Sequence, residues 1–199
     1  MANPIEDKTL EIRRVPQRPA NGLLAWQATV GYISVEHSPD AALMLRALPK
    51  ADGIRWHATI SYGGTTAQVA DADTLPQALR DLWLELARVH DIFKTAQDRV
   101  RQPALYADNQ WLDTDTAGTL SGLLEITEAA FGKQWALILV YQAVENPTQR
   151  VKARLVAKDN HVQISGNGPS VREACRDLYR NAAPGYFASS GRNVDSLLT

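Results

Sequence analysis

An α+β fold, made of two similar antiparallel sheet-plus-helix units, is what this 199-residue sequence predicts. Three observations carry that expectation. Apolar residues alternate in "IRWHATISY" and "VKARLVAK", the period of half-buried strands. Helical stripes follow the strands in each half. One of those helices is also nearly said twice, as "TLPQALRDLW" from Thr74 and "SVREACRDLY" from Ser170. Ala78, Arg80, Asp81 and Leu82 recur as Ala174, Arg176, Asp177 and Leu178, and Gln68 in the preceding strand recurs as Gln163. Thr74 and Ser170 are exchangeable N-caps, and Trp83 and Tyr179 are exchangeable large aromatics. A helix burying the same stripe against a similar sheet explains the echo.

Taken in order, residues 1–22 carry Pro4, Pro16, Pro19 and Gly22, which interrupt helix and ladder alike, and read as an extended N-terminal arm. "LLAWQATVGYISV", from Leu23 to Val35, is rich in aromatic and β-branched residues and reads as a strand. "SPDAALMLRAL" offers an N-cap serine, Pro39 at a first helical position and Ala41, Leu45 and Leu48 at helical spacing, so a short helix is expected there. "IRWHATISY" and "TTAQVA" form a hairpin about Gly63 and Gly64. The stripe Leu75, Ala78, Leu79, Leu82, Trp83, Leu86 and Phe93 marks the helix that ends the first unit, residues 23–95. The β-β-β-α order of this unit thus includes a short helical insertion.

Residues 96–118 form a linker, interrupted by Pro103. The second unit, residues 119–183, reads α-β-β-β-α: a helix "TLSGLLEITEAAFG" stopping at Gly132, strands at "WALILVYQ", "VKARLVAK" and "HVQIS", and the helix from Ser170. Residues 184–199 remain as a C-terminal tail. The strand Trp135 to Tyr141 is apolar on both faces, so it needs cover on both, from the other unit or from a second subunit.

Bulk composition excludes little but points in one direction. Acidic and basic residues nearly balance at a net charge of −1, without the basic excess of a dedicated polyanion binder. The single cysteine, Cys175, permits no intramolecular disulfide and fits a reducing, cytoplasmic setting. No apolar run approaches the length of a bilayer span, so no membrane partner is expected.

Chemical motifs are scarce. Cys175 shares an apolar helical face with Val171 and Leu178 and reads as a small buried hydrophobe. His37, His57, His90 and His161 are scattered, none at the spacing of a helical metal pair. Asp71 and Asp73 resemble a cation site, but their repeat counterparts fall near Gly166 and Gly168, so both places read as turns. Asp113 and Asp115 fit metal binding and helix capping equally. "GNGPS" holds only part of a glycine loop, and no nucleophile elbow, Walker loop or dinucleotide fingerprint is present. No catalytic residue, metal or cofactor is therefore assigned. An enzyme whose site is assembled from distant residues carries no motif and stays as an alternative.

From about Thr119 to Ala183 the order helix-strand-strand-strand-helix resembles the double-stranded-RNA-binding domain, and "GNGPSVREACRDL" is similar to that family's glycine turn into its second helix. The resemblance implies phosphate contacts from the start of this helix and a loop between the first two strands that reaches the minor groove. Here the helix opens Ser170, Val171, Arg172, and the loop "AVENPTQ" has Glu145 and no histidine. Arg172, Arg176 and Arg180 form one stripe, while Arg150, Lys152 and Arg154 cluster on strand positions, and these six are the candidate nucleic-acid contacts. The strand-strand-strand-helix pattern with "TLPQALRDL" also resembles HicB-type antitoxins. Without a chemical constellation, the leading expectation is a non-catalytic interaction or assembly module that binds a protein partner or itself, with duplex RNA binding as the alternative.

Overall fold

The computed structural model describes residues 19–89 and 106–188. The N-terminal arm through residue 18, Phe93, His90, Pro103 and the tail beyond residue 188 lie outside the described residues. The chain runs α1 (Gly22–Glu36), β1 (Ala42–Lys50), β2 (Gly53–Tyr62), β3 (Thr65–Ala72), α2 (Leu75–Val89), α3 (Thr114–Phe131), β4 (Trp135–Gln142), β5 (Val151–Ala157), β6 (Val162–Gly168) and α4 (Val171–Ala182). All six strands join in one antiparallel sheet of order β3-β2-β1-β4-β5-β6. The α+β class is as expected.

Two expectations for the first half are corrected, and they exchange places. Leu23 to Val35 is the helix α1, because its large apolar residues Leu23, Trp26, Val30 and Ile33 fall three and four apart and Asn21 caps the first turn by accepting from the Leu24 amide at 2.9 Å. Composition suggested a strand, but spacing decides. Conversely, "SPDAALMLRAL" is a turn followed by β1, in which Leu43, Leu45 and Ala47 are buried while Met44 and Arg46 are exposed. Dense alanine and leucine satisfied the period of 3.6 and the period of 2 together. Ser38, read as an N-cap, instead ends α1, its amide donating to the Ile33 carbonyl at 2.9 Å.

Most remaining elements follow the sequence, but α3 begins at Thr114, inside the expected linker of residues 96–118, and β6 runs through Gly168, so Gly166 and Gly168 are strand residues and not the expected turn. Gly63 and Gly64 both have positive φ, 52° and 78°, as a two-residue hairpin requires. Thr74 caps α2 through the Gln77 amide, Ser170 caps α4 through the Glu173 amide, and Gly132 ends α3 at φ 60°.

The helices pack on one face of the sheet: α2 on β2 and β3, α4 on β5 and β6, and α1 across β1 and β4. A single core fills the space between the layers. Trp26 sits at its centre, fully buried, edge-on to Trp83 and donating its indole N–H to the Leu79 carbonyl at 3.1 Å.

The "GNG" stretch has a packing explanation. A Cβ on Gly166 would lie 2.1 Å from the Leu178 amide nitrogen and 2.4 Å from the Ala174 carbonyl oxygen, and one on Gly168 would lie 2.6 Å from the Ala174 nitrogen. These glycines let α4 press its backbone against β6. Gly166→Ala is therefore expected to destabilise the fold by several kcal/mol, of the order of a core disruption. Gly118→Ala, on the exposed side of α3 with no atom near its Cβ, should instead raise stability by up to about 1 kcal/mol. Urea unfolding of the two variants checks both signs.

Candidate functional site

Strand alternation sends odd-numbered residues of β1, β4 and β5 and even-numbered residues of β2 into the helix layer. The opposite face of the sheet carries no covering element among the described residues. The cover expected on both sides of β4 is present on one: Trp135, Leu137 and Leu139 are buried under helices, while on the open face Ile138 and Val140 are partly exposed and the small Ala136 is buried. Register places Met44 beside Val140 and Arg46 beside Ile138. Across β4, Val140 faces Lys152, Ile138 faces Arg154 and Ala136 faces Val156. The open face thus has an apolar strip of Met44, Leu48, Ile138, Val140 and Val156, with Met44 42% exposed. Arg46 stands within it, between Met44 and Leu48 on β1, and Lys152 and Arg154 border it on β5.

Those cations differ in their electrostatic company. Arg55 is held by Asp52 and Asp73, and Asp71 faces His57 at 3.5 Å and Lys50 at 4.0 Å. Asp71 and Asp73 are thereby occupied as ion-pair partners. Among the described residues no carboxylate pairs with Arg46, Lys152 or Arg154, and Arg154 hydrogen-bonds only the neutral amide of Gln163. A depression of about 360 Å³ opens at one end of this strip, lined by Arg46, Leu48, Lys133, Ala136, Val156 and Lys158.

The six predicted contacts are not brought together. Lys152 and Arg154 stand on the open face, whereas Arg172, Arg176 and Arg180 belong to α4 in the opposite layer. Arg172 pairs with Asp115 of α3 at 3.0 Å and is about one-quarter exposed. Arg150 lines a depression on the helix side with Gln27, Gly31 and Tyr141. Burial pushes the Tyr141 phenol up, and Arg150 pulls it part of the way back. Arg46, absent from the predicted set, stands with Lys152 and Arg154 on the open face. Its alternation with buried Leu45 and Ala47 was the signal that would have found it.

Asp113 is the N-cap of α3, accepting from the Thr116 amide and hydroxyl at 2.8 Å each. Partial burial works to raise its carboxyl, but the Thr116 bonds and Arg172 outweigh it and hold it below the ordinary range. Capping, not metal binding, is its geometry. Cys175 is buried against the core and its thiol is pushed up to about 12 by loss of solvent, so no thiolate forms near neutrality. Among the described residues, no three His, Cys, Asp or Glu side chains converge as metal ligands, and no helix is long and apolar enough to cross a membrane.

No family model, no curated protein and no solved structure matches the chain.

Two outcomes test this electrostatic picture. Asp113→Ala should lower stability by about 1 kcal/mol at pH 7. A carboxyl held below its ordinary value stabilises the fold above that value and loses its effect as pH falls through the folded pKa, so the difference from wild type should shrink in acid-unfolding curves as pH falls below the ordinary carboxylate range. Cys175 carries the opposite sign. The folded state keeps its proton while the unfolded chain releases it above about pH 9, so stability attributable to this thiol is full below pH 9 and falls by about 1.4 kcal/mol by pH 10. Cys175→Ala should remove that part of the alkaline loss, measured as the urea midpoint at pH 8 and pH 10.

Proposed function

We propose that the protein is a non-catalytic interaction module that docks through the open face of its sheet. The observation carrying this reading is the apolar strip of Met44, Leu48, Ile138 and Val140, in which Met44 is exposed and the other three are partly exposed, on a sheet whose other face is a closed core. Contiguous apolar surface rimmed by charge marks association sites. The sheet edges are poorer candidates. On β6 the Asn167 amide donates to Asp177 at 2.9 Å and the Ser165 carbonyl accepts from Asn181 at 2.8 Å, which blunts that edge. On β3 a register shift opposite Trp56 and Ala58, with Asp71 at φ 59°, distorts the ladder.

The module is built, in this reading, from two copies of one helix-strand-strand-strand-helix unit. Support comes from the element order, which recurs, and from the repeated helix: Ala78, Leu79 and Leu82 of α2 and Ala174, Cys175 and Leu178 of α4 are all buried against their sheet halves. The resemblance of the second unit to the double-stranded-RNA-binding domain supports a second reading. Arg46, Lys152 and Arg154, which pair with no carboxylate among the described residues, favour it, since phosphate contacts need such charge. Arg172, engaged with Asp115, fits a structural role better.

Affinity capture from extract of the protein's own cells, comparing wild type with Ile138→Asp and with Leu84→Asp on the exposed side of α2, tests the proposal. Ile138→Asp should deplete the captured proteins at least tenfold, whereas Leu84→Asp should leave them unchanged. Equal capture by all three forms would overturn the assignment of the open face. Capture of RNA in place of protein, lost on Lys152→Glu with Arg154→Glu, would favour the second reading.

A further inference from the structure

Resting on the reading of the open face as a docking surface, we infer that its occupant is an acidic amphipathic helix of another protein, lying along β4. The strip and its flanks set the dimensions. Arg46 on β1 and Arg154 on β5 stand one strand to either side of Ile138, so they are about 10 Å apart. That separation matches the width of a helix with its side chains. The eight residues of β4 run about 26 Å, which accommodates about five helical turns. An apolar ridge at i, i+3, i+4 and i+7 would cover Ile138, Val140 and Met44, and carboxylates beside the ridge would meet Arg46 on one side and Lys152 and Arg154 on the other. The depression lined by Leu48, Ala136 and Val156, with Lys133, Lys158 and Asp159 also on its wall, offers a pocket for a large apolar side chain at one end of that helix.

The alternatives fit less well. A second copy of this chain would set Arg46, Lys152 and Arg154 against their own equivalents across a two-fold axis, with Asp71 the one carboxylate on strand positions of this face and already facing His57 and Lys50. A single-stranded nucleic acid gains much of its affinity from bases stacked on aromatic rings, and the open-face positions of the five strands flanking and including β4 carry no Phe, Tyr or Trp. A duplex contacting through phosphates alone would leave Met44 and Ile138 unmatched.

A phage-displayed library of random 16-residue peptides selected on the full chain provides an unbiased probe. Enriched peptides should combine Asp or Glu with Leu, Ile, Met or Phe at helical spacing. Labelled synthetic copies should bind in the micromolar range by fluorescence anisotropy, more tightly at low salt. Arg46→Glu with Arg154→Glu should weaken them at least tenfold, and so should Met44→Asp, which sits at an exposed position where folding is least at risk. Enrichment of neutral or basic peptides, an absence of enrichment, or tighter binding of a 20-mer RNA duplex or single strand would each overturn the inference. The two levels separate cleanly. Neutral peptides lost on Met44→Asp would defeat the acidic helix and keep the docking face, whereas acidic peptides indifferent to both variants would defeat the docking face itself.

Discussion

The antiparallel pairing of β1 with β4 is the constraint on which the rest of the molecule depends. It runs from Ala42 opposite Gln142 to Ala47 opposite Leu137 and joins two three-stranded halves into one sheet of six. On one side of this seam Leu43, Leu45, Leu137 and Leu139 are buried beneath α1, whose Trp26 ties the helix to α2. Removing the seam would expose two backbone edges and that whole apolar row together, so neither half is expected to hold its central strand alone.

The same pairing creates the surface that water reaches. Because side chains alternate, the residues that the seam buries have neighbours on the opposite face, where Met44 and Arg46 are exposed and Ile138 and Val140 partly so. Four helices suffice to cover one face of a six-stranded sheet. The chain has no described element left for the other. With carboxylates gathered at the β2–β3 side, where they hold Arg55, Lys50 and His57, the cations without an ion-pair partner among the described residues fall around the seam. A nearly neutral chain therefore presents a locally cationic face.

Much of this was legible in the sequence and some was not, for physical reasons. The hairpin at Gly63 and Gly64, the stripe from Leu75 to Leu86, the Gly132 stop and the three strands of the second half each carry a period or a breaker that admits one reading. The stretch from Leu23 to Ala47 does not, since α1 is rich in strand-favouring residues and β1 is dense in alanine and leucine that suit both periods. Misplacing β1 hid Arg46 from the candidate site. The six predicted cations divided between layers because spacing along α4 and β5 gives each element its own face but not their mutual orientation. Gly166 and Gly168, read as a turn, lie in β6, and the close approach of α4 explains them.

The central claim is that the open face is covered in the cell, and Met44 reports on it directly. Its thioether is exposed and readily oxidised. Hydroxyl-radical footprinting of the protein at its endogenous level in extract, compared with the purified chain, should show Met44 labelling reduced several-fold while the exposed Leu84 and Val35 on the helix layer label equally in both. Equal labelling of Met44 in the two settings would contradict the account.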